Sequence, residues 1–295
     1  MRFRRNWLLT IACGLGMLFV AGAPTPTVAG TVLYDGSSGV RSAPKKPSHP
    51  SKPSTPSAAN SPRTPDIATQ PSETLSTLEQ QHRWALATTA LLSHVNFEET
   101  TSLAGYAGYS FTPESVRREV ESLARGWNVR SRADLLERLA GLDREGHRTE
   151  FTALGKALST MTADEYRAME KEYSDDDKML YRMRVVRTNY AKFGNKSLFA
   201  WDYIRYINVC RMGYHVGYLS EQEAWDRIMP VARKIQRTYS SWTAMGEDYL
   251  IGYDYWRTDA EDDSLRLLKS AYALFCTDYQ YNPWIVNSWT LDLGK

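Results

Sequence analysis

Four polar residues stand at steps of three inside one apolar stretch. They are Asp202, Arg205, Asn208 and Arg211, in KSLFAWDYIRYINVCRMGY, residues 196–214. Residues three apart are neighbours on a helix surface, so the four form a polar ribbon winding along one helix. Two guanidiniums on such a ribbon suit a planar anion, which they hold through paired N–H donors, with Asp202 orienting one of them. The same set also suits an internal salt-bridge network that fixes helix register, because a buried charge without a partner is costly. Upstream, His147 and Arg148 offer a titratable imidazole and a further cation; such a pair also serves to cap a helix or bond a carbonyl. Glu247 and Asp248 are adjacent and point in different directions on a helix, so they make no acid/base pair by themselves. One of them is expected to answer an arginine of the ribbon. The binding candidates are thus Asp202, Arg205, Asn208, Arg211, His147, Arg148 and Glu247, with no catalytic set defined.

The sequence contains no HExxH, no paired CxxC, no phosphate-binding glycine loop and no nucleophile elbow. The easiest metalloprotease, zinc, nucleotide and hydrolase assignments therefore fall away. The five histidines are scattered, so no metal and no cofactor is expected. Tyr239, Trp242, Tyr249, Tyr253 and Trp256 resemble a sugar platform, but near-helical spacing fits a core equally well.

These residues need helices to place them. After residue 75 there is almost no period-2 alternation, and helix punctuation recurs. Thr112-Pro113 and Ser131 open helices, and Thr162 with Glu165 and Ser220 with Glu223 have capping-box spacing. Residues 221–239 place Ala224, Trp225, Ile228, Ala232, Ile235 and Tyr239 on one stripe, with Pro230 inside. Further helices are expected near 76–93, 145–159, 176–192, 241–256 and 261–276. The ribbon helix is apolar nearly all round, which predicts a central, covered position. The fold class read from this pattern is all-α: a multi-helix globular domain of about eight or nine helices, residues 75–295. The tail beyond Asp278, with Trp284 and Trp289, is expected to dock on it.

The first 75 residues differ. Arg2, Arg4 and Arg5 precede the apolar run LLTIACGLGMLFVAGA and small residues at 21–23 and 28–30. This pattern predicts a signal peptide over 1–30, cleaved after about Ala23 or Gly30. An uncleaved anchor in the inner membrane, facing the periplasm, is the alternative and the only expected membrane contact. Residues 31–74 read as a Pro/Ser/Lys-rich linker. Proline recurs at 44, 47, 50, 53 and 56, the three-residue period of an extended polyproline II rod. A periplasmic or secreted location follows. In that compartment Cys210 and Cys276 either form a disulfide or stay apart, with Cys210 a buried free thiol.

Net charge is +2 over the 295 residues, but it divides. Residues 1–75 carry eight Lys/Arg and three Asp/Glu, leaving the remainder slightly acidic. Such a domain lacks the concentrated basic face that nucleic acid requires.

Residues 199–257 resemble domain-of-unknown-function family 1266, the YbeU/YbeR-like bacterial proteins. The likeness is most specific at Ala200-Trp201-Asp202, at Asn208 to Gly217, at Glu223-Ala224-Trp225, at Ser241-Trp242 and at Gly252 to Trp256. It includes Gly146-His147-Arg148 upstream and spans a core of about 120–275. The resemblance implies a helical bacterial domain and brings no activity with it.

The functional expectation is an envelope binding or interaction module, with neutralisation of an incoming toxin as one version. Its partner is another envelope protein or an anionic cell-wall ligand. The alternatives are a hydrolase acting on an anionic or cell-wall substrate, and a structural envelope scaffold.

Overall fold

The computed structural model describes residues 75–105, 111–257, 263–277 and 282–294. The expected signal peptide and linker lie outside the described residues. Within them the chain is all-α, with no strand among the described residues. The elements are α1 (Thr77–Ala87), α2 (Ala90–Val95), α3 (Pro113–Trp127), α4 (Arg132–Arg144), α5 (Gly146–Ser159) and α6 (Ala163–Glu172). They continue with α7 (Asp177–Phe193), α8 (Phe199–His215), α9 (Glu221–Thr238), α10 (Trp242–Trp256), α11 (Asp263–Phe275) and the single turn α12 (Pro283–Val286).

Most helix starts are encoded locally. Thr112, Ser131, Thr162 and Ser220 accept from the backbone N–H three residues on, opening α3, α4, α6 and α9. The two capping boxes read from spacing, at Thr162 and Ser220, are both formed. Each such cap satisfies amides that no intrahelical carbonyl can reach. Helix α9 runs on through Pro230.

Helix α8 is the axis. Thirteen of its 17 residues are buried, and α3, α4, α5, α9 and α10 pack around it. Two glycines set how closely. A Cβ on Gly213 would stand 2.5 Å from a Leu135 methyl of α4. A Cβ on Gly252 would stand 2.2 Å from the Trp201 Cβ, so α10 lies directly against α8.

This axial helix lacks a cap of its own. Leu198, at the N-cap, has φ +61° and offers no side-chain acceptor. Asp248 on α10 supplies it instead. Its carboxylate accepts from the Leu198 N–H at 2.8 Å, the Ala200 N–H at 2.9 Å and the Tyr239 hydroxyl at 2.5 Å. Asp248 is fully buried. Burial pushes it up to about 7, against the pull of those three donors.

The C-terminal segment docks, as its tryptophans suggested. The indoles of Trp84, Trp242 and Trp284 donate to the carbonyls of Ser288, Asn287 and Ala87. Gln236 donates to the Trp289 and Leu291 carbonyls. Tyr239, Trp242, Tyr249 and Tyr253 are all buried, so the aromatic series is core rather than an open platform.

Of the two readings for the cysteines, the structure shows the free thiols. Cys210 is buried on α8, Cys276 is exposed just beyond α11, and both thiols are free. Burial pushes the Cys210 thiol well up, leaving it an inert small hydrophobe.

Asp248→Ala leaves the buried Leu198 amide and the Tyr239 hydroxyl without their acceptor, and leaves the Ala200 amide with the Tyr239 oxygen alone. An unfolding free energy lower by about 3 kcal/mol is expected in urea titrations. The pH dependence has a defined sign. The folded-state pKa of about 7 lies above the ordinary 3.8, so between those values the native state holds a proton that the unfolded chain has lost. This group therefore makes stability fall as pH rises through that window. Asp248→Asn should flatten that slope.

Candidate functional site

Helix α5 begins in the same way as α8. Its N-cap residue, Glu145, makes no side-chain cap bond. Asp202 of α8 reaches across and accepts from the His147 and Arg148 backbone N–H groups, both at 3.0 Å. The positive end of α5 and the carboxylate thus meet in a buried place, where their attraction is least screened. Gly146 makes the approach possible. It has φ +54°, and a Cβ there would lie 2.1 Å from Asp202 Oδ2.

Arg148 completes this joint. Its guanidinium donates to Asp202 Oδ2 at 3.1 Å and to the Leu142 carbonyl at 2.7 Å. It also donates to the Asp143 carbonyl. Arg148 therefore closes the C-terminal end of α4 while pairing with Asp202, so three helices meet at Gly146-His147-Arg148.

Arg205 lies one turn along α8 from Asp202, and its surroundings differ. The guanidinium sits between two indoles, 4.7 Å from the Trp127 ring and 4.6 Å from the Trp201 ring. One of its nitrogens is 3.1 Å from His147 Nδ1. Arg205 has no ion pair at all among the described residues, and it is only half-buried. Burial pulls its pKa down to about 10, so it stays charged at neutral pH.

That contact fixes the histidine. A guanidinium only donates, so His147 Nδ1 must accept. The Trp201 indole N–H also points at Nδ1, at 3.4 Å. These two donors suit the neutral imidazole with its proton on Nε2, while Asp202 Oδ1 lies farther from Nδ1, at 3.7 Å. Burial holds its pKa below the usual value, Asp202 opposes this, and Arg205 and Arg182 reinforce it. The side chain keeps 26% of its surface exposed.

The other half of the ribbon serves another purpose. Arg211 is 3% exposed and spends its donors on the protein. They go to the Leu103 and Glu99 carbonyls and to the Thr89 and Ser93 hydroxyls, at 2.6 to 3.2 Å. Glu98 lies 3.5 Å away as its counter-ion. Asn208 is buried, with its amide toward Met212 Sδ. With Arg211, Glu98, Glu119 and His215 it lines a void of about 10 Å³, about the room of one water.

The structure thus divides the expected set. It brings Asp202, Arg205, His147 and Arg148 together at the start of α5. Asn208 and Arg211 fall at a separate place, where Arg211 ties α8 to residues 99–103. The expected answer from the 247–248 pair is corrected. Glu247 pairs with Lys192 on the surface at 2.7 Å, and Asp248 caps α8, because α10 turns them to opposite sides. Sequence reasoning missed Trp127, which faces Arg205, and a neighbouring group in which Arg182 lies 5.3 Å from the Tyr255 ring centre and its charge acts on Glu150. Glu150 carries a signal in hindsight, being three residues after His147 and so on the same helix face. Arg182 carries none.

A family model described as "Protein of unknown function (DUF1266)" matches residues 122–289. That is more than half of the chain, and the chain belongs to this family. It is 27% identical over 175 residues to uncharacterized protein YbeR of Escherichia coli (strain K12), covering 55% of this chain and 73% of YbeR. It is 24% identical over 145 residues to uncharacterized protein YbeU of the same organism, covering 49% of this chain and 61% of YbeU. No solved structure matches. The family match begins within α3 and ends at Trp289, so it contains the whole joint and the docked tail as far as Trp289.

The two ribbon arginines should respond differently to truncation. Arg211→Leu leaves Glu98 and several buried acceptors unpaired and should lower stability by about 3 kcal/mol. Arg205→Leu removes a half-buried cation with no counter-ion and should cost under about 1 kcal/mol. Urea unfolding of the two variants, compared side by side, measures the difference. Gly146→Ala should destabilise by more than about 1 kcal/mol, from positive φ and displacement of the Asp202 carboxylate together.

Proposed function

We propose that this chain is an exported bacterial binding module that works in the cell envelope. It holds a partner presenting an anionic group against the face around Arg205. The single observation that carries this reading is the state of Arg205: a charged, half-buried guanidinium, flanked by two indoles, without a carboxylate. A guanidinium kept in that state is pre-organised to receive an anion. The indoles add contact area of the kind that anchors interfaces. Neutralisation of an incoming toxin by an acidic patch on it is one concrete form.

The state of His147 favours binding over hydrolysis. Its Nδ1 lone pair is taken by Arg205 and Trp201, and its Nε2 already carries the proton. In this tautomer it donates a hydrogen bond and does not accept a proton, so it is poorly suited to be a general base.

Export belongs to the same proposal. No helix among the described residues is long and apolar enough to cross a membrane. The N-terminal pattern and the proline rod support release, with a tether that gives reach. N-terminal sequencing of the mature protein from an envelope fraction is expected to begin just after Ala23 or Gly30.

Binding is tested with the full chain, wild type against Arg205→Glu, on envelope extracts. A stoichiometric partner retained by wild type and lost by the charge reversal is the expected result. Equal retention by a folded Arg205→Glu protein would overturn the proposal.

A further inference from the structure

The reading above uses one arginine. A second cation stands beside it. Arg182 on α7 is close enough for its charge to act on His147 and on Glu150 of α5. Its guanidinium lies 5.3 Å from the Tyr255 ring centre. It forms no ion pair among the described residues. Its Nε is buried and has no hydrogen-bond partner there. The Tyr255 hydroxyl is likewise buried without a partner. Two orphaned polar atoms on touching side chains are uncommon, since buried polar groups are nearly always hydrogen-bonded.

The inventory beside α5 is therefore one-sided. His147 offers Nε2–H, Arg182 offers Nε–H, and Arg205 has N–H groups beyond the one it gives His147. Tyr255 offers a hydroxyl. The acceptors nearby are Asp202, which is occupied by α5, and Glu150. Glu150 is partly buried and forms no ion pair with Arg182. Burial pushes its carboxyl upward, while Arg182 pulls it back.

We infer that Arg182, His147, Arg205 and Tyr255 form a site for a single oxyanion group, a phosphate or a carboxylate. This rests on the binding reading for Arg205 and deepens it by naming the ligand class and adding α7 and α10 to the site. A tetrahedral or planar oxyanion accepts several hydrogen bonds at once, and it satisfies the donors that the protein leaves unused. The indoles of Trp127 and Trp201 flank the Arg205 guanidinium at 4.7 and 4.6 Å, which limits the entropy lost on binding. Glu150 tunes the site, because ionisation there competes with the ligand for Arg182.

The test titrates the full chain with sodium phosphate and, separately, sodium acetate, at ionic strength matched with sodium chloride. The readouts are the His147 ring nitrogen resonances and the thermal midpoint. Saturable binding of at least one anion is expected, with a shift at His147 Nε2 and a raised midpoint. Phosphate alone, acetate alone or both identifies which source of oxyanion the site accepts. Arg182→Met should weaken binding at least tenfold, and Glu150→Gln should strengthen it. Arg182→Lys serves if the methionine variant does not fold, and a loss of the Nε–H geometry should still weaken binding. Absence of saturable binding by both anions overturns the inference, as does unchanged affinity in a folded Arg182 variant. If the Arg205-dependent envelope partner is still retained in that case, the oxyanion site fails while the binding module stands.

Discussion

Two buried carboxylates hold this fold by capping helices to which they do not belong. Asp248 on α10 closes the N-terminus of α8, and Asp202 on α8 closes the N-terminus of α5. A helix start inside a protein leaves amides that water cannot reach, and each costs free energy if it stays unpaired. A carboxylate satisfies two of them at once and meets the positive end of the dipole. The relay therefore orders three helices in sequence. The position of α10 fixes where α8 begins, and the position of α8 fixes where α5 begins. Glycine at 146 and glycine at 252 belong to the same mechanism, since they allow the approaches that the carboxylates need.

The candidate site follows from the second link of that relay. Asp202 takes the His147 backbone N–H, so the imidazole is set down beside Arg205 and Trp201. Arg148 uses the same carboxylate and the last carbonyls of α4, which removes its freedom to serve a ligand. Of the two cations in the His147 neighbourhood on α5 and α8, one is therefore a bracket and one remains open. Trp201 joins the two roles. Its ring packs among Tyr249, Tyr253 and Trp256, its indole N–H turns to His147, and its face carries Arg205.

Local rules made much of this legible from sequence. Thr112, Ser131, Thr162 and Ser220 announce their helices because each cap lies three residues from the amide it serves. The apolar circumference of residues 199–215 announces a central helix for the same kind of reason. The trans caps were not legible. Asp202 and Asp248 serve amides 54 and 50 residues away, and no short spacing encodes that distance. The ribbon was readable as a set of polar groups that need company, but not as two sets. Arg205 and Arg211 are six positions apart, which turns them to different faces of α8 and toward different neighbours. Arg182 was invisible because its relation to His147 exists only after α7 packs on α5.

The contrast between the two arginines separates strut from site. Arg211 shows what this protein does with a guanidinium it needs for architecture. It surrounds the group with two carbonyls, two hydroxyls and a carboxylate, and buries it. Arg205 is on the same helix and half-buried, yet it receives one imidazole nitrogen and two aromatic faces. Aromatic faces compensate part of the lost hydration, by about 1 kcal/mol each in partly buried settings, without using the N–H donors. The cation is thus stabilised enough to remain while its hydrogen-bonding capacity stays unspent. A strut would have spent it, because every unmade bond to a buried cation weakens the fold it is meant to support. The arrangement around Arg205 makes physical sense when the missing acceptor comes from outside the chain.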